Sequence, residues 1–475
     1  MTHSTELVTR RTVLAAGLGA ATAIGATAMG VGQASAATRI KRLRAEPGIA
    51  RLLGPDGQPT AIWGFDGAVP GPELRVRQGA ELAVRFQNGI DKPATIHWHG
   101  IRIDNAMDGV PGMTQRPVLP GEDFDYRFVC PDAGTYWYHP HRGASEQVGR
   151  GLYGALIVEE RDPIAVDHEQ VLLLDDWRLT DAGEIHTQSF GAMHDRAHAG
   201  RYGNTLTING KAEEVISVRS GARVRLRLIN VANANIFGVR VQGHTPMVVA
   251  YDGQPVTPRP APDGIVLLGP AQRVDLVFDA MANPGSAFGI EMITRREARP
   301  AGRLLYVDES PLRTAPLTSP IALAPNPMPR ELDLANALTV DLPMEGGARS
   351  RMASAMHRGT RMSLRDLVRE KGFAWALAGH AGMPKKPLFT AKRGQTVRLN
   401  LANGTFWPHA MHVHGHHFRE VGSNASEDAW RDTIMLFRQQ KKSIAFVADI
   451  PGRWMLHCHM LEHHEAGMGT WFEVA

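Results

Sequence analysis

The chain has only two cysteines, Cys130 and Cys458, so no disulfide framework holds it together. It lacks a dominant charge of either sign. Its 52 basic and 48 acidic residues leave a net +4, too balanced to grip nucleic acid. Long helical patterns are missing, except around 363–371. At 43% hydrophobic and 21% charged residues the composition is globular, which excludes a disordered tail, a coiled coil and a multi-span membrane protein. What is present instead is turn chemistry. The 49 glycines and 31 prolines in 475 residues favour many short strands. Histidine is abundant at 21, and its clustering carries most of the reading.

Residues 1–36 read as an export leader. Arg10-Arg11 is followed by Thr12, Val13 and Leu14, and no charge appears again until Arg39. The run ends in Ala34-Ser35-Ala36, a small-residue cleavage pattern. It resembles a twin-arginine signal, a route for proteins already folded. The mature chain is expected to begin near Ala37, to work in the periplasm or outside the cell, and to keep no membrane span after processing.

One pattern recurs three times. Leu74-Arg-Val-Arg-Gln-Gly79 precedes Leu82-Ala-Val-Arg-Phe86 and Asn88. Ile216-Ser-Val-Arg-Ser-Gly221 precedes Val224-Arg-Leu-Arg-Leu228 and Asn230. Phe389-Thr-Ala-Lys-Arg-Gly394 precedes Val397-Arg-Leu-Asn-Leu401 and Asn403. Each copy is an alternating strand, a glycine turn and another alternating strand. An all-β chain of three consecutive Greek-key sandwiches follows, each of roughly 140 residues. The expected spans are 37–162, 163–318 and 319–475.

Four histidine clusters stand at matching points of the repeat. They are His97-Trp-His99, His139-Pro-His141, His412-Val-His414 with His409 before it, and His457-Cys458-His459 with His463 after it. In a strand, residues i and i+2 point to one side, so each H-x-H pair aims two imidazoles into one cavity. Copies one and three together offer His97, His99, His139, His141, His412, His414, His457 and His459. The middle copy has Arg240 where the others have His97 and His412, and Gln242 where they have His99 and His414. At the position of His139 and His457 it is read as having Ile290, so it is expected to be a spacer without ligands. Cys458 points away from its neighbours and faces a second pocket with His409, His463 and Met468. Two imidazoles, a thiolate and a weak thioether form the blue-copper set. Cys130 is left without a partner and is expected to be a buried small apolar residue.

On these motifs the chain resembles the three-domain multicopper oxidases of the bacterial laccase type, built from cupredoxin-like domains. The resemblance implies four copper ions. A type 1 ion would sit on His409, Cys458, His463 and Met468, and a type 2 ion on His97 and His412. A type 3 pair would sit on His99, His139 and His459, and on His141, His414 and His457. It implies four one-electron oxidations of a small donor, coupled to reduction of O2 to water. His463 would admit the electron through a ring edge near the surface. Asp108, nine residues after His99, matches an acid that relatives keep beside the cluster for proton delivery. Relatives often carry Glu directly after the last type 1 histidine. Here His464 stands there, which leaves Glu462 and Glu465 as candidates for a second proton relay.

The donor is expected to be a phenol or an aromatic amine. The alternative is Cu(I), for copper tolerance, because Met344, Met352, Met356, Met362 and Met383 fall within 342–386. Arg349, Arg351, Arg358, Arg361 and Arg365 crowd the same stretch, as a basic linker would. A copper-free structural member of the fold is a distant third, since the ligand set is complete. A monomer suffices, because one chain holds both ligand-bearing copies.

Overall fold

A computed structural model describes residues 39–329, 331–422 and 429–475. The leader lies outside the described residues. No helix among them is long and apolar enough to cross a membrane.

The chain folds as three β-sandwiches. The first packs the sheet Thr60–Phe65, Lys41–Ala50, Glu81–Asn88, Asp123–Val129 on the sheet Leu74–Arg77, Gly154–Glu159, Gly134–His139, His97–His99. The second has a six-stranded sheet centred on Ala222–Asn230 and Arg273–Ala280, facing a five-stranded one. In the third, Gln395–Asn403 lies at the centre of one sheet, and Gly452–Cys458 beside His409–Val413 in the other. Each repeated strand pattern lands in an equivalent place, because its apolar set fills its own sandwich. Val84 and Phe86 belong to the first core, Val224, Leu226 and Leu228 to the second, and Val397, Leu399 and Leu401 to the third. The 363–371 stretch is helical over Leu364–Asp366 and Leu367–Lys371, with Ser363 capping through its side chain.

Strand Ala222–Asn230 is buried on both faces. Its arginine face is enclosed rather than wet. Arg225 and Arg227 both reach Asp275, and also reach Glu160 and Glu169. Thr135 of the first sandwich donates to Asp275 Oδ1 at 2.6 Å. Buried charges are tolerated only when paired, and this cluster ties the first two sandwiches together.

The strands that carry the H-x-H motifs pair directly. His97 lies opposite His139, His412 opposite His457, and Met411 opposite Cys458. The middle copy corrects the alignment read from the sequence. Arg240 lies opposite Glu291, not Ile290. The pairing of Phe237–Val241 with Ala287–Ile293 runs without a break, and the bulge at Ile290–Glu291 lies on the other side, where Ala301 is the extra residue against Ala298–Tyr306. Where the other copies set imidazoles, this one sets Arg240 and Gln242 against Glu291, at 3.3 and 2.8 Å.

Candidate metal centre

Two buried pockets are built from the repeated strands. In the first, Cys458 Sγ lies 3.6 Å from His409 Nδ1 and 3.7 Å from His463 Nδ1. The two Nδ1 atoms are 3.1 Å apart. Met468 is buried in the same core, and its backbone ties it to the set. The Cys458 N–H donates to its carbonyl at 3.1 Å, and its own N–H donates to the His463 carbonyl at 3.0 Å.

The outer nitrogens fix both tautomers. His463 Nε2 meets the carbonyl of His198 at 2.7 Å, an oxygen that only accepts, so Nε2 carries the proton. His409 Nε2 meets Thr405 Oγ1 at 2.8 Å, and that hydroxyl donates onward to Asn403 Oδ1. Both Nδ1 lone pairs are therefore bare and face each other beside the sulfur. Such an arrangement repels itself unless a cation stands between. Burial pushes the Cys458 thiol up to about 12 and His463 down to about 4. A soft metal ion is the cation that fits a thiolate with two imidazoles.

The second pocket repeats this logic among the eight imidazoles. His97 Nδ1 donates to the carbonyl of Asp108 at 2.8 Å, and His412 Nδ1 to that of Asp432 at 2.9 Å. Their Nε2 atoms are buried without a partner, as is His99 Nδ1. His139 Nδ1 donates to the Pro140 carbonyl and His457 Nδ1 to the Cys458 carbonyl, at 3.0 and 2.9 Å. The bare nitrogens then converge. His457 Nε2 lies 3.0 Å from His414 Nε2 and 3.4 Å from His141 Nε2. His459 Nε2 lies 3.3 Å from His139 Nε2. Burial, then neighbouring imidazoles, holds His99, His139, His141, His414, His457 and His459 well below the usual histidine range. Orphaned buried nitrogens are rare in proteins, and metal ions are their natural partners.

Asp108 is buried within the cluster. Its Oδ2 accepts from His414 Nδ1 at 2.9 Å, and its Oδ1 lies 3.2 Å from His97 Nδ1. It thus links an imidazole of the first sandwich to one of the third. Asp432, absent from the sequence reading, is its counterpart. Oδ1 lies 3.2 Å from His99 Nε2 and 3.4 Å from His412 Nδ1. Burial alone would raise its pKa, but the Arg273 guanidinium and the two imidazoles hold it well below the usual carboxylate range. Arg273 comes from the middle sandwich. It donates to both Asp432 oxygens and, through Nε, to the carbonyl of Thr135. Among the described residues the middle sandwich places no imidazole in either pocket, yet its Arg273 braces strands of both neighbours. Gly100, directly after His99, is required by this pair. It has φ +86, and a Cβ there would lie 2.1 Å from Arg273 Nη2 and 2.5 Å from Asp432 Oδ2.

Three expectations change. His463 is 0% exposed, so its ring edge is not at the surface. The segment containing helix Met193–Ala197, from the middle sandwich, covers it through the His198 carbonyl. Glu462 and Glu465 make no hydrogen bond to the cluster imidazoles among the described residues. Glu462 accepts from Ser145 Oγ, Asn233 Nδ2 and the Arg201 N–H, at 2.7, 2.8 and 3.1 Å. Glu465 accepts from the Ser145 N–H at 2.9 Å, and burial raises its pKa. The two glutamates clamp helix Leu461–Glu465 to the other sandwiches. His464 packs beside the cluster instead, 4.4 Å from His457 and 5.4 Å from His141 between ring centres. His416 and His417 are buried, and Cys130 is a buried free thiol, as expected of a small apolar residue.

Burial pushes His416, His417, His463 and His464 each to about 4. A depressed histidine pKa means that the unfolded chain binds the proton first, so stability falls as pH drops from about 6.5 toward 4. Each group costs up to roughly 3 kcal/mol across that window, and four such costs rival the net stability of a whole domain. Asp175 and Asp252, raised by burial to about 7 and about 6, oppose part of this loss, so the copper-free protein is expected to lose net stability as pH falls from about 6.5 to 4. Circular dichroism against pH checks this, and the copper-loaded protein should persist to lower pH because metal competes with protons.

Three family models described as multicopper oxidase match residues 51–163, 168–303 and 357–475. The chain is 31% identical over 440 residues to Multicopper oxidase MmcO of Mycobacterium tuberculosis, covering 86% of this chain and 82% of that one. It is 29% identical to Laccase-1 of Fomitopsis schrenkii, over 87% of this chain and 83% of that one. The solved multi-copper oxidase of Pseudomonas thermotolerans superposes with a TM-score of 0.79 at 33% identity. That match covers 92% of this chain and 99% of the solved one.

Proposed function

The chain belongs to the multicopper oxidases, copper oxidoreductases that couple oxidation of a donor to reduction of O2, and we propose that its donors are phenols and aromatic amines. Four copper ions fit its ligand sets. His409, Cys458 and His463 would hold a type 1 ion, with the Met468 thioether as a weak further donor. His97 and His412 would hold a type 2 ion. His141, His414 and His457 would hold one ion of a type 3 pair, and His99 and His139, with His459 Nε2 3.3 Å from His139 Nε2, would hold the other. Bound there, copper supplies one-electron redox chemistry beside Cys458 and four-electron reduction of O2 among the eight imidazoles.

The chain's own residues set the conditions. Cys458 is covalently continuous with His457 and His459, so its sulfur and the second pocket share one strand end. His198 and Thr405 hold the outer nitrogens of His463 and His409, which keeps the inner ones bare. Asp108 is the carboxylate that can take up and return protons beside the cluster, at Oδ2 against His414 Nδ1. We place the domain spans at 37–162, 163–318 and 319–475, and read residues 1–36 as a twin-arginine leader that exports the folded protein.

The observation that carries the aromatic reading is the wall beside His409. Phe406, Trp407 and Pro408, the three residues before that ligand, line an apolar groove of about 630 Å³. The methionines that favour Cu(I) do not gather there. Met344 is buried in the third core, and Met352 and Met362 pack in a satellite cluster with Ala355 and Leu367. Oxygen uptake with 2,6-dimethoxyphenol and with Cu(I), side by side, tests it. The phenol should sustain the faster uptake, and uptake driven by Cu(I) alone would overturn the reading.

Asp108→Asn keeps the shape but removes the charge that two imidazoles meet. Oxygen-dependent reoxidation is expected to slow by roughly 100-fold, while reduction by substrate stays near wild type. Stopped-flow bleaching and recovery of the blue band separate the two halves.

A further inference from the structure

We infer that the groove beside His409 selects anionic aromatic donors, phenols that carry a carboxylate; this rests on the aromatic reading above. The groove is apolar along its floor, with Ile236, Leu267, Phe406, Trp407 and Phe437 among its lining residues. Three of these stand well out of the core, with Leu267 54%, Phe437 45% and Phe406 38% exposed. Its charge is of one sign. Arg295, Arg349 and Arg438 line it, and no aspartate or glutamate does. None of the three arginines has a carboxylate within 4.0 Å among the described residues. Arg438 lies over the Phe406 ring at 4.1 Å, which leaves its guanidinium edge directed to other acceptors. A second cleft continues from the first through Tyr202, Asn235, Thr294 and Arg295, and adds Arg296 together with Arg299 and Glu297, which pair with each other.

A planar ring suits the Phe406 and Trp407 wall, and a carboxylate suits an unpaired guanidinium. The same charges repel a cuprous ion. The groove also meets the copper pocket. Trp407 packs edge-on against His198 at 5.2 Å, and the His198 carbonyl accepts from His463 Nε2. Trp407 and Pro408 lead along the chain into His409. A donor in the groove thus lies one residue layer from both imidazoles of the Cys458 pocket, which explains how a fully buried His463 can still serve an outside donor. Each phenol gives up one electron and its hydroxyl proton to become a phenoxyl radical. Four such losses match one O2 taken to two waters.

The test compares sinapate with its methyl ester, which share the same oxidisable ring and side chain and differ in the carboxylate charge, using the copper-loaded enzyme near neutral pH. The kcat/KM ratio should favour sinapate by about tenfold at low salt and fall toward unity in about 0.5 M salt. In the Arg349→Gln/Arg438→Gln variant the ratio should drop several-fold, through KM rather than kcat. A dead-end ligand gives a second readout. 3,5-Dimethoxybenzoate should inhibit 2,6-dimethoxyphenol oxidation competitively, about tenfold more tightly than its neutral amide, and the variant should lose that difference. Oxidation of both phenols at a ratio near one, unmoved by salt or by the variant, would overturn the inference and leave the aromatic reading standing. Oxidation of neither would overturn that reading itself. A groove covered by a second copy would appear as dimers in sedimentation that the variant dissociates, with an unchanged ratio, and would also overturn the inference.

Discussion

Cys458→Ser should abolish turnover and the intense visible absorption together, while the eight-imidazole pocket keeps its copper. The reason is local. Cys458 Sγ is the only sulfur among three donors within 4 Å of one another, and a hydroxyl does not replace a thiolate for a soft ion. The second pocket draws none of its contacts from that side chain. His457 and His459 are held by their own nitrogens and by backbone, at positions a single-atom change at Cys458 leaves in place. A serine hydroxyl in the fully buried site costs roughly 1–3 kcal/mol, so the variant should fold. Copper content should fall by about one ion per chain, from the ligand sets. A variant that stays blue would remove Cys458 from the account.

Asp432→Asn should have the largest effect on stability together with metal retention. The carboxylate receives both Arg273 Nη atoms and meets His99 and His412. Neutralising it leaves a guanidinium at 0% exposure with Asp252, 3.6 Å away, as its remaining counter-charge. Breaking a buried pair of this kind costs about 3–5 kcal/mol, and Asp252 argues for the lower end. Loss of the carboxylate charge beside His99 and His412 should weaken copper binding by roughly 10–100-fold. Denaturant melts and copper titrations read the two effects separately. Adding Arg273→Met should recover part of the stability and none of the copper affinity, because the methionine removes the stranded charge but restores no carboxylate beside the imidazoles.

The H-x-H clusters were legible because strand periodicity is a local rule. Two imidazoles at i and i+2 of a strand share a face, as His97 and His99 do, and the other three pairs straddle strand ends, with His141, His414 and His459 just past the last strand residue. The sequence reading failed where tertiary structure decides. In the middle copy Glu291, not Ile290, lies opposite Arg240, a register that only the strand pairing fixes. Asp432 and Arg273 meet 159 residues apart across two sandwiches, so neither has a neighbour in sequence that marks its role. The cover over His463 comes from the segment around His198, 265 residues earlier and in another sandwich. The glutamates near the last ligand looked like proton donors because they adjoin it in sequence. A helix turns their side chains toward Ser145, Asn233 and Arg201 instead. The arginines of Ala222–Asn230 alternate with its apolar residues in sequence, and the structure encloses them as an ion cluster under the first sandwich.

The central claim is that one chain builds both copper pockets. Metal analysis of fully active, dialysed enzyme tests it most directly. About four coppers per chain are expected from the ligand sets. Two or fewer in a sample with full activity would contradict it.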